Sequence, residues 1–176
     1  MILTFGFLVL IYFVHQAIGS PIKLQAVNSF IVVQGFIWFI LAAGEELGWR
    51  GFALPGLMQK YTLFKSAAVL GIIWCVWHYP KIIGSPFLKD WQMAVTALIT
   101  FSIQILAGNF VICWLYARFN KSVWLTTLYH TFWNIVSTLY LFMAMDNFAT
   151  ILLVCVSLVI ILLDRNLFFG KRSVEQ

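Results

Sequence analysis

Charge is the scarcest property of this sequence. Only 10% of its 176 residues are charged and only six are acidic, while 62% are apolar and the mean hydropathy is +0.95. Soluble domains average roughly 25% charged and about 45–50% apolar residues. No soluble fold of this size can bury so much apolar surface, so the composition excludes a soluble globular protein. It predicts a polytopic membrane protein built from helices.

Cysteine is scarce as well, and its three copies do not suggest a disulfide framework. Cys75, Cys113 and Cys155 all lie in apolar runs. An odd number of thiols at membrane depth argues against structural disulfides. The stability of the fold must therefore come from helix packing.

Apolar runs long enough to cross a membrane occur six times. A membrane helix needs about 20 apolar residues, and the candidates cover residues 1–18, 28–57, 63–80, 92–117, 122–145 and 147–163. The first run lacks the positively charged start of a signal peptide, so we expect it to be retained as a span. No repeat or linker divides the chain. The sequence predicts an all-α bundle of about six transmembrane helices in a single integral-membrane domain, residues 1–176.

Basic residues lie singly between these runs and give a formal net charge of +5. That pattern is typical of topology signals rather than of a nucleic-acid-binding patch, so we expect membrane lipid and no nucleic acid as a partner. Three basic residues lie on one side of the predicted bundle, and seven lie on the other: Lys60, Lys65, Arg118, Lys121, Arg165, Lys171 and Arg172. The positive-inside rule then predicts a multi-pass plasma-membrane protein with both termini in the cytoplasm.

Two of the six acids are adjacent and lie inside an apolar run. Glu45 and Glu46 precede Arg50, which is four residues after Glu46. A charge at bilayer depth costs at least a few kcal/mol, so ionisable residues there are functional candidates. Residues four apart share a helix face, and we expect Glu46 to pair with Arg50. Glu45 is turned about 100° away and is expected to stay free to act as a base.

Two further pairs with four-residue spacing lie on later spans, Trp74 with His78 and His130 with Asn134. Buried polar groups of this kind need partners. At about 1.5 Å per helical residue, Glu45, His130 and Asn134 lie roughly 12–18 Å from the same end of the bundle, and His78 at about 20 Å. This similar depth predicts one site inside the bilayer, reached from the cytoplasmic side.

Gly44, Gly48 and Gly51 form a stripe of small residues beside the acids. Small residues let membrane helices approach closely. We expect the stripe to bring His78 and His130 within reach of the acids.

Taken in order, the three motifs read Glu45-Glu46-x-x-x-Arg50, Trp74-x-x-x-His78 and His130-x-x-x-Asn134. This set resembles the CPBP intramembrane proteases, which include CAAX-type prenyl endopeptidases and bacteriocin-processing or bacteriocin-immunity proteins. The resemblance covers approximately residues 28–145, which would form the catalytic core. The second motif of the family often begins with phenylalanine, and Trp74 is an aromatic variant of it.

The resemblance implies an intramembrane endopeptidase that cleaves a membrane-associated peptide or a lipidated protein; it implies nothing about oligomeric state. Glu45 would activate a water molecule that His78 positions, and His130 with Asn134 would stabilise the oxyanion. The other acid and the arginine would orient the site. The implied catalytic residues are Glu45, Glu46, Arg50, His78, His130 and Asn134.

The sequence leaves the question of a metal open. The CPBP family is conventionally grouped with metalloproteases, and Glu45, His78 and His130 match the ligand types of a His₂Glu zinc site. These ligands would come from three separate helices, without a His-Glu-x-x-His pair. A metal-free glutamate mechanism fits the same residues and is the favoured interpretation, with zinc as the alternative.

Other functions fit the sequence less well. A non-catalytic immunity or binding protein would use the polar cavity for recognition, but it would tolerate loss of the catalytic residue types. A haem held by His78 and His130 would leave the acids unexplained. A nucleophilic Cys75 is disfavoured because a thiol in apolar surroundings is usually inert. The chain also lacks the Gly-x-Ser-x-Gly and Gly-x-Gly-Asp motifs of other protease classes.

Overall fold

The structure is a computed structural model and describes residues 29–85, 90–139 and 147–170. These residues are helical, with no strand among them: α1 Ser29–Gly48, a π-helical turn Trp49–Ala53, α2 Leu54–Lys60, α3 Leu63–Ile83, α4 Trp91–Arg118, α5 Val123–Leu139, α6 Asn147–Leu163 and α7 Arg165–Phe169. The predicted all-α bundle is confirmed. The predicted span at 1–18 lies outside the described residues, and the single-domain boundary of 1–176 stays a prediction.

The helices have the length and surface of a membrane bundle. By length and composition, α3 and α4 are long and apolar enough to cross a membrane, and α6 is a shorter apolar helix. Large apolar side chains face outward, among them Phe36, Trp91 and Leu163. Extensive outward apolar surface marks a membrane-contacting or partner-contacting face, and its presence on several helices fits a surrounding bilayer.

Two prolines lie inside helices close to the predicted ends of the spans 28–57 and 63–80. Pro55 is the second residue of α2, directly after the π-helical turn, and the helix continues to Lys60. Pro80 lies within α3, which runs on to Ile83. Membrane helices tolerate such prolines because neighbouring groups satisfy the freed carbonyl. Both helices therefore run three residues beyond the predicted span ends at 57 and 80.

Helix α4 is the centre of the described bundle. It packs most extensively against α3 and then against α6, while α1 packs against α5, and contacts between α4 and α5 join the two groups. One apolar cluster includes Val111, Val136 and Leu153, and a second includes Leu70 and Phe168. This arrangement puts the acidic end of α1, the middle of α3 and the first half of α5 around the same region of α4.

The predicted glycine stripe does not form the close helix contact. No described atom lies within 4 Å of a Cβ placed on Gly44 or Gly48, and around Gly51 the nearest atoms are at 3.9 Å. The prediction was wrong because small-residue spacing indicates only that a face could approach another helix. It does not say which face packs.

The close contact occurs at Gly71, between α3 and α4. A Cβ there would lie 2.7 Å from Leu106 Cδ1 and 3.2 Å from Asn109 Nδ2. Glycine is therefore the residue that lets the two most extensively packed helices approach.

We expect Gly71→Ala to destabilise the protein by about 1–3 kcal/mol, because the added methyl overpacks the α3–α4 contact. The measurement is the thermal unfolding midpoint of the purified protein in detergent. Gly44→Ala is the matched control and should be neutral or stabilising, because no described atom would meet its methyl and alanine favours a helix more than glycine. Equal midpoints for the two variants would contradict the packing argument.

Candidate active site

A buried ion pair connects the end of α1 with the π-helical turn. Arg50 Nη1 donates to Glu46 Oε1 at 2.9 Å, and both side chains are fully buried. The pair predicted from the four-residue spacing is confirmed. π-Helical turns inside helices are frequent at functional sites, and this one carries Arg50.

Asn109 on α4 is a second hydrogen-bond partner of this arginine. Arg50 Nη2 donates to Asn109 Oδ1 at 2.6 Å, and Asn109 Nδ2 donates to the Ala67 carbonyl of α3 at 2.6 Å. Asn109 is fully buried. Sequence reasoning missed this residue, although an amide inside the apolar run of α4 was a signal that a polar partner would be needed.

His130 joins the same carboxylate from α5. Its Nδ1 lies 3.0 Å from Glu46 Oε1, and the imidazole is buried. An ionised carboxylate can only accept, so Nδ1 carries the hydrogen of this bond. Nε2 therefore carries a hydrogen only when the ring is a doubly protonated imidazolium.

Glu45 has a different environment from its neighbour. It is half-buried, and its Oε2 accepts a hydrogen bond from Trp74 Nε1 at 2.9 Å. Among the described residues, no cation is paired with it and no donor reaches its Oε1. The sequence predicted a carboxylate without a partner; the structure instead gives it one neutral donor and leaves the second oxygen accessible.

His78 is oriented by the backbone of Trp74. Its Nδ1 lies 2.8 Å from the Trp74 carbonyl oxygen, which can only accept, so Nδ1 carries a hydrogen. In the neutral ring Nε2 is then an acceptor. The indole and imidazole rings meet edge to face, with centroids 5.6 Å apart. Glu45 and His130 both lie within electrostatic range of His78.

A cavity of about 240 Å³ adjoins these groups. Trp74, His78, His130 and Asn134 line it, together with aromatic and aliphatic side chains. Glu45 does not line it directly; its carboxylate lies against the indole N–H of Trp74. The motifs on α3 and α5 therefore meet at one cavity, and the two acids of α1 are hydrogen-bonded to two of its lining residues, Trp74 and His130.

The cavity lies on one side of the imidazoles. Its lining extends from Trp74 and His130 to Lys81 and Thr138, near the last turns of α3 and α5. Those turns are at the end of the bundle opposite Lys60 and the other basic helix ends. The sequence predicted access from the basic end, whereas on α3 and α5 the lining residues lie toward the other end. On α4 they lie around the middle of the helix, from Phe101 to Ile112.

The residues as placed do not fit a resident zinc ion. Glu45, His78 and His130 all lie within the described ranges, yet no three His, Cys, Asp or Glu side chains of those ranges are grouped closely enough to hold a metal. A zinc site needs such a convergent set. The chemistry below is derived from the protein's own side chains.

The surroundings of Cys75 do not suit a nucleophilic thiol. Its Sγ donates to the Ser102 carbonyl at 3.4 Å, and the thiol is buried. The nearby His78 uses Nδ1 for the Trp74 carbonyl. The structure thus gives Cys75 a helix-packing contact between α3 and α4.

A known protein family matches the segment of the chain that carries these motifs. The family model described as type II CAAX prenyl endopeptidase Rce1-like matches residues 25–136. This chain belongs to the Rce1-like family. The matched segment contains all six residues that the motifs single out, and the family resemblance predicted from them is confirmed.

A curated relative supports the same membership. The chain is 33% identical over 140 residues to CAAX prenyl protease 2 of Methanococcus maripaludis, and the alignment covers 77% of this chain and 51% of that protein. The Rce1-like chain thus spans about half the length of the curated relative it matches.

Proposed function

We propose that the protein is an intramembrane endopeptidase in which Glu45 activates water. The asymmetry of the two acids carries the proposal. Glu46 is neutralised by Arg50 and bonded to His130, whereas Glu45 has a neutral donor on one oxygen and no described donor on the other. A general base needs a carboxylate oxygen that can reach a proton, and Glu45 is the acid that offers one.

The first step would take place between Glu45 and His78. A water molecule would donate one O–H to Glu45 Oε1 and the other to His78 Nε2, the acceptor in the neutral ring. As the water oxygen attacks the scissile carbonyl carbon, its proton would pass to Glu45. The protonated Glu45 would then give this proton to the leaving amine nitrogen as the C–N bond breaks, which restores the carboxylate.

The oxyanion would be stabilised from α5. His130 would donate from Nε2 when both ring nitrogens carry a hydrogen, and Asn134 carries amide N–H donors on the same helix face. Donors aimed at a developing oxyanion in a water-poor site are worth about 10²–10³ in rate each. Arg50 and Asn109 would act indirectly, by holding Glu46 in place.

The substrate would be a membrane-associated peptide or lipidated protein. The relative is named CAAX prenyl protease 2. We therefore propose a peptide with a C-terminal prenylated tail as the first substrate to test with this chain. The apolar and aromatic lining of the cavity, including Trp38, Phe101 and Trp133, suits an apolar segment. Membrane lipid would surround the protein in the plasma membrane, with its basic helix ends in the cytoplasm and no nucleic-acid partner.

We expect the purified protein in liposomes to cleave a farnesylated CAAX peptide, and His130→Ala to lower the rate by about 10²–10³. Loss of one oxyanion donor is the physical reason. Mass spectrometry of the products identifies the cleaved bond, and the unfarnesylated peptide and an unmodified leader peptide test the role of the lipid. Protein amount and thermal midpoint are measured in parallel. If the wild type cleaves none of these peptides, the binding-protein alternative replaces this proposal.

A further inference from the structure

Trp74 contacts four of the residues that the proposed mechanism uses. Its indole N–H donates to Glu45, and its carbonyl accepts from His78. Its ring lies edge to face with His130 at 5.2 Å between centroids, and the Arg50 Cζ lies 4.7 Å from its centroid.

We propose that Trp74 is a positioning residue whose indole N–H fixes the Glu45 carboxylate for proton transfer from water. This inference rests on the proposed role of Glu45 as the base. A phenylalanine at position 74 would have no N–H, so this chain carries a carboxylate hydrogen bond that phenylalanine could not supply.

The bond constrains both partners. Trp74 is only 4% exposed, and an indole N–H left unpaired at membrane depth is strongly unfavourable. Glu45 Oε2 is its acceptor in the structure. Because Oε2 is committed to the indole, Oε1 is the oxygen left for water, and the carboxylate plane is held relative to the imidazole of His78.

A Trp74→Phe substitution distinguishes the positioning role of Trp74 from a packing role. Phenylalanine at position 74 would keep a ring beside Arg50 and the two imidazoles, but would remove the N–H. A packing role predicts that Trp74→Phe changes stability and the active fraction. A positioning role predicts that it changes turnover of the correctly folded protein.

Trp74→Phe is expected to lower kcat by about ten- to a hundredfold, the range for a hydrogen bond to a charged group, with KM changed by less than about twofold, because uniform binding is kept. The assay is cleavage of the farnesylated CAAX peptide in liposomes, with the active amount normalised to folded protein.

Trp114→Phe is the matched control. Trp114 Nε1 also donates to a carboxylate, Asp164 Oδ2 at 3.0 Å, but at the basic end of the bundle and outside the cavity lining. The same substitution there should leave kcat unchanged. Thermal midpoints of both variants are recorded to detect a loss of folding.

Three outcomes would overturn the inference: equal kcat for Trp74→Phe and wild type, an equal fall for Trp114→Phe, or a fall explained wholly by lost folded protein. A wild type that cleaves no peptide would instead overturn the proposed function. The two failures are therefore distinguishable in one experiment.

Discussion

Glu45→Gln is expected to lower peptide cleavage by about 10²–10⁴-fold, the usual contribution of a positioned general base. The amide has nearly the same shape as the carboxylate, and its oxygen can still accept from Trp74 Nε1, which lies 2.9 Å from Glu45 Oε2. The substitution therefore removes the proton acceptor while keeping the hydrogen bond. Cleavage of the farnesylated peptide in liposomes measures the effect, and the thermal midpoint should stay close to that of the wild type.

Asp90→Asn is the matched control for this carboxylate-to-amide change. Asp90 caps α4 by accepting from Met93 N at 2.7 Å and is exposed. Asparagine caps helices about as well as aspartate, so both stability and cleavage should be retained. Full activity of Glu45→Gln would remove the base from the proposed mechanism and favour a binding role for the cavity.

Arg50→Met is expected to destabilise the protein by about 3–5 kcal/mol, because it leaves the buried Glu46 carboxylate without its compensating charge. It also removes the 2.6 Å bond to Asn109 Oδ1. The measurement is the thermal unfolding midpoint in detergent, with cleavage assayed on the protein that remains folded. Activity should be lost as well, because Glu46 would no longer be held against His130.

Two comparisons sharpen this prediction. Arg118→Met removes an arginine that is 61% exposed and 3.7 Å from Asp164, and exposed pairs contribute only about 0–1 kcal/mol. The double variant Glu46→Gln with Arg50→Met removes both buried charges and should recover much of the stability without recovering activity. A midpoint for Arg50→Met equal to that of Arg118→Met would contradict the buried-pair argument.

Local spacing explains which parts of the site the sequence predicted. Glu46 and Arg50 are four residues apart, and the helical period brings such residues together whatever the rest of the fold does. The same reasoning separated Glu45 from Glu46 and placed His130 and Asn134 on one face. The family resemblance then followed from the order of the motifs.

Residue spacing along one helix could not predict the contacts between helices. The bond from Trp74 to Glu45 and the bonds of Asn109 to Arg50 and Ala67 join helices far apart in sequence. Spacing within one helix carries no information about the rotation of a second helix against it. For the same reason, the glycines near the acids were assigned a packing role that belongs to Gly71.

By itself, the sequence determined a membrane-helical protein with two neighbouring acids, of which only Glu46 is spaced to pair with Arg50. The apolar composition indicates a membrane environment, and the helical period brings residues four apart together. Tertiary structure alone decided that His130 and Arg50 both bind Glu46 and that Glu45 accepts a hydrogen bond from the Trp74 indole N–H. It also decided that the cavity lining extends to Lys81. Each of these depends on how helices rotate and pack against one another, and that is fixed by side-chain contacts across the whole bundle rather than by any one segment.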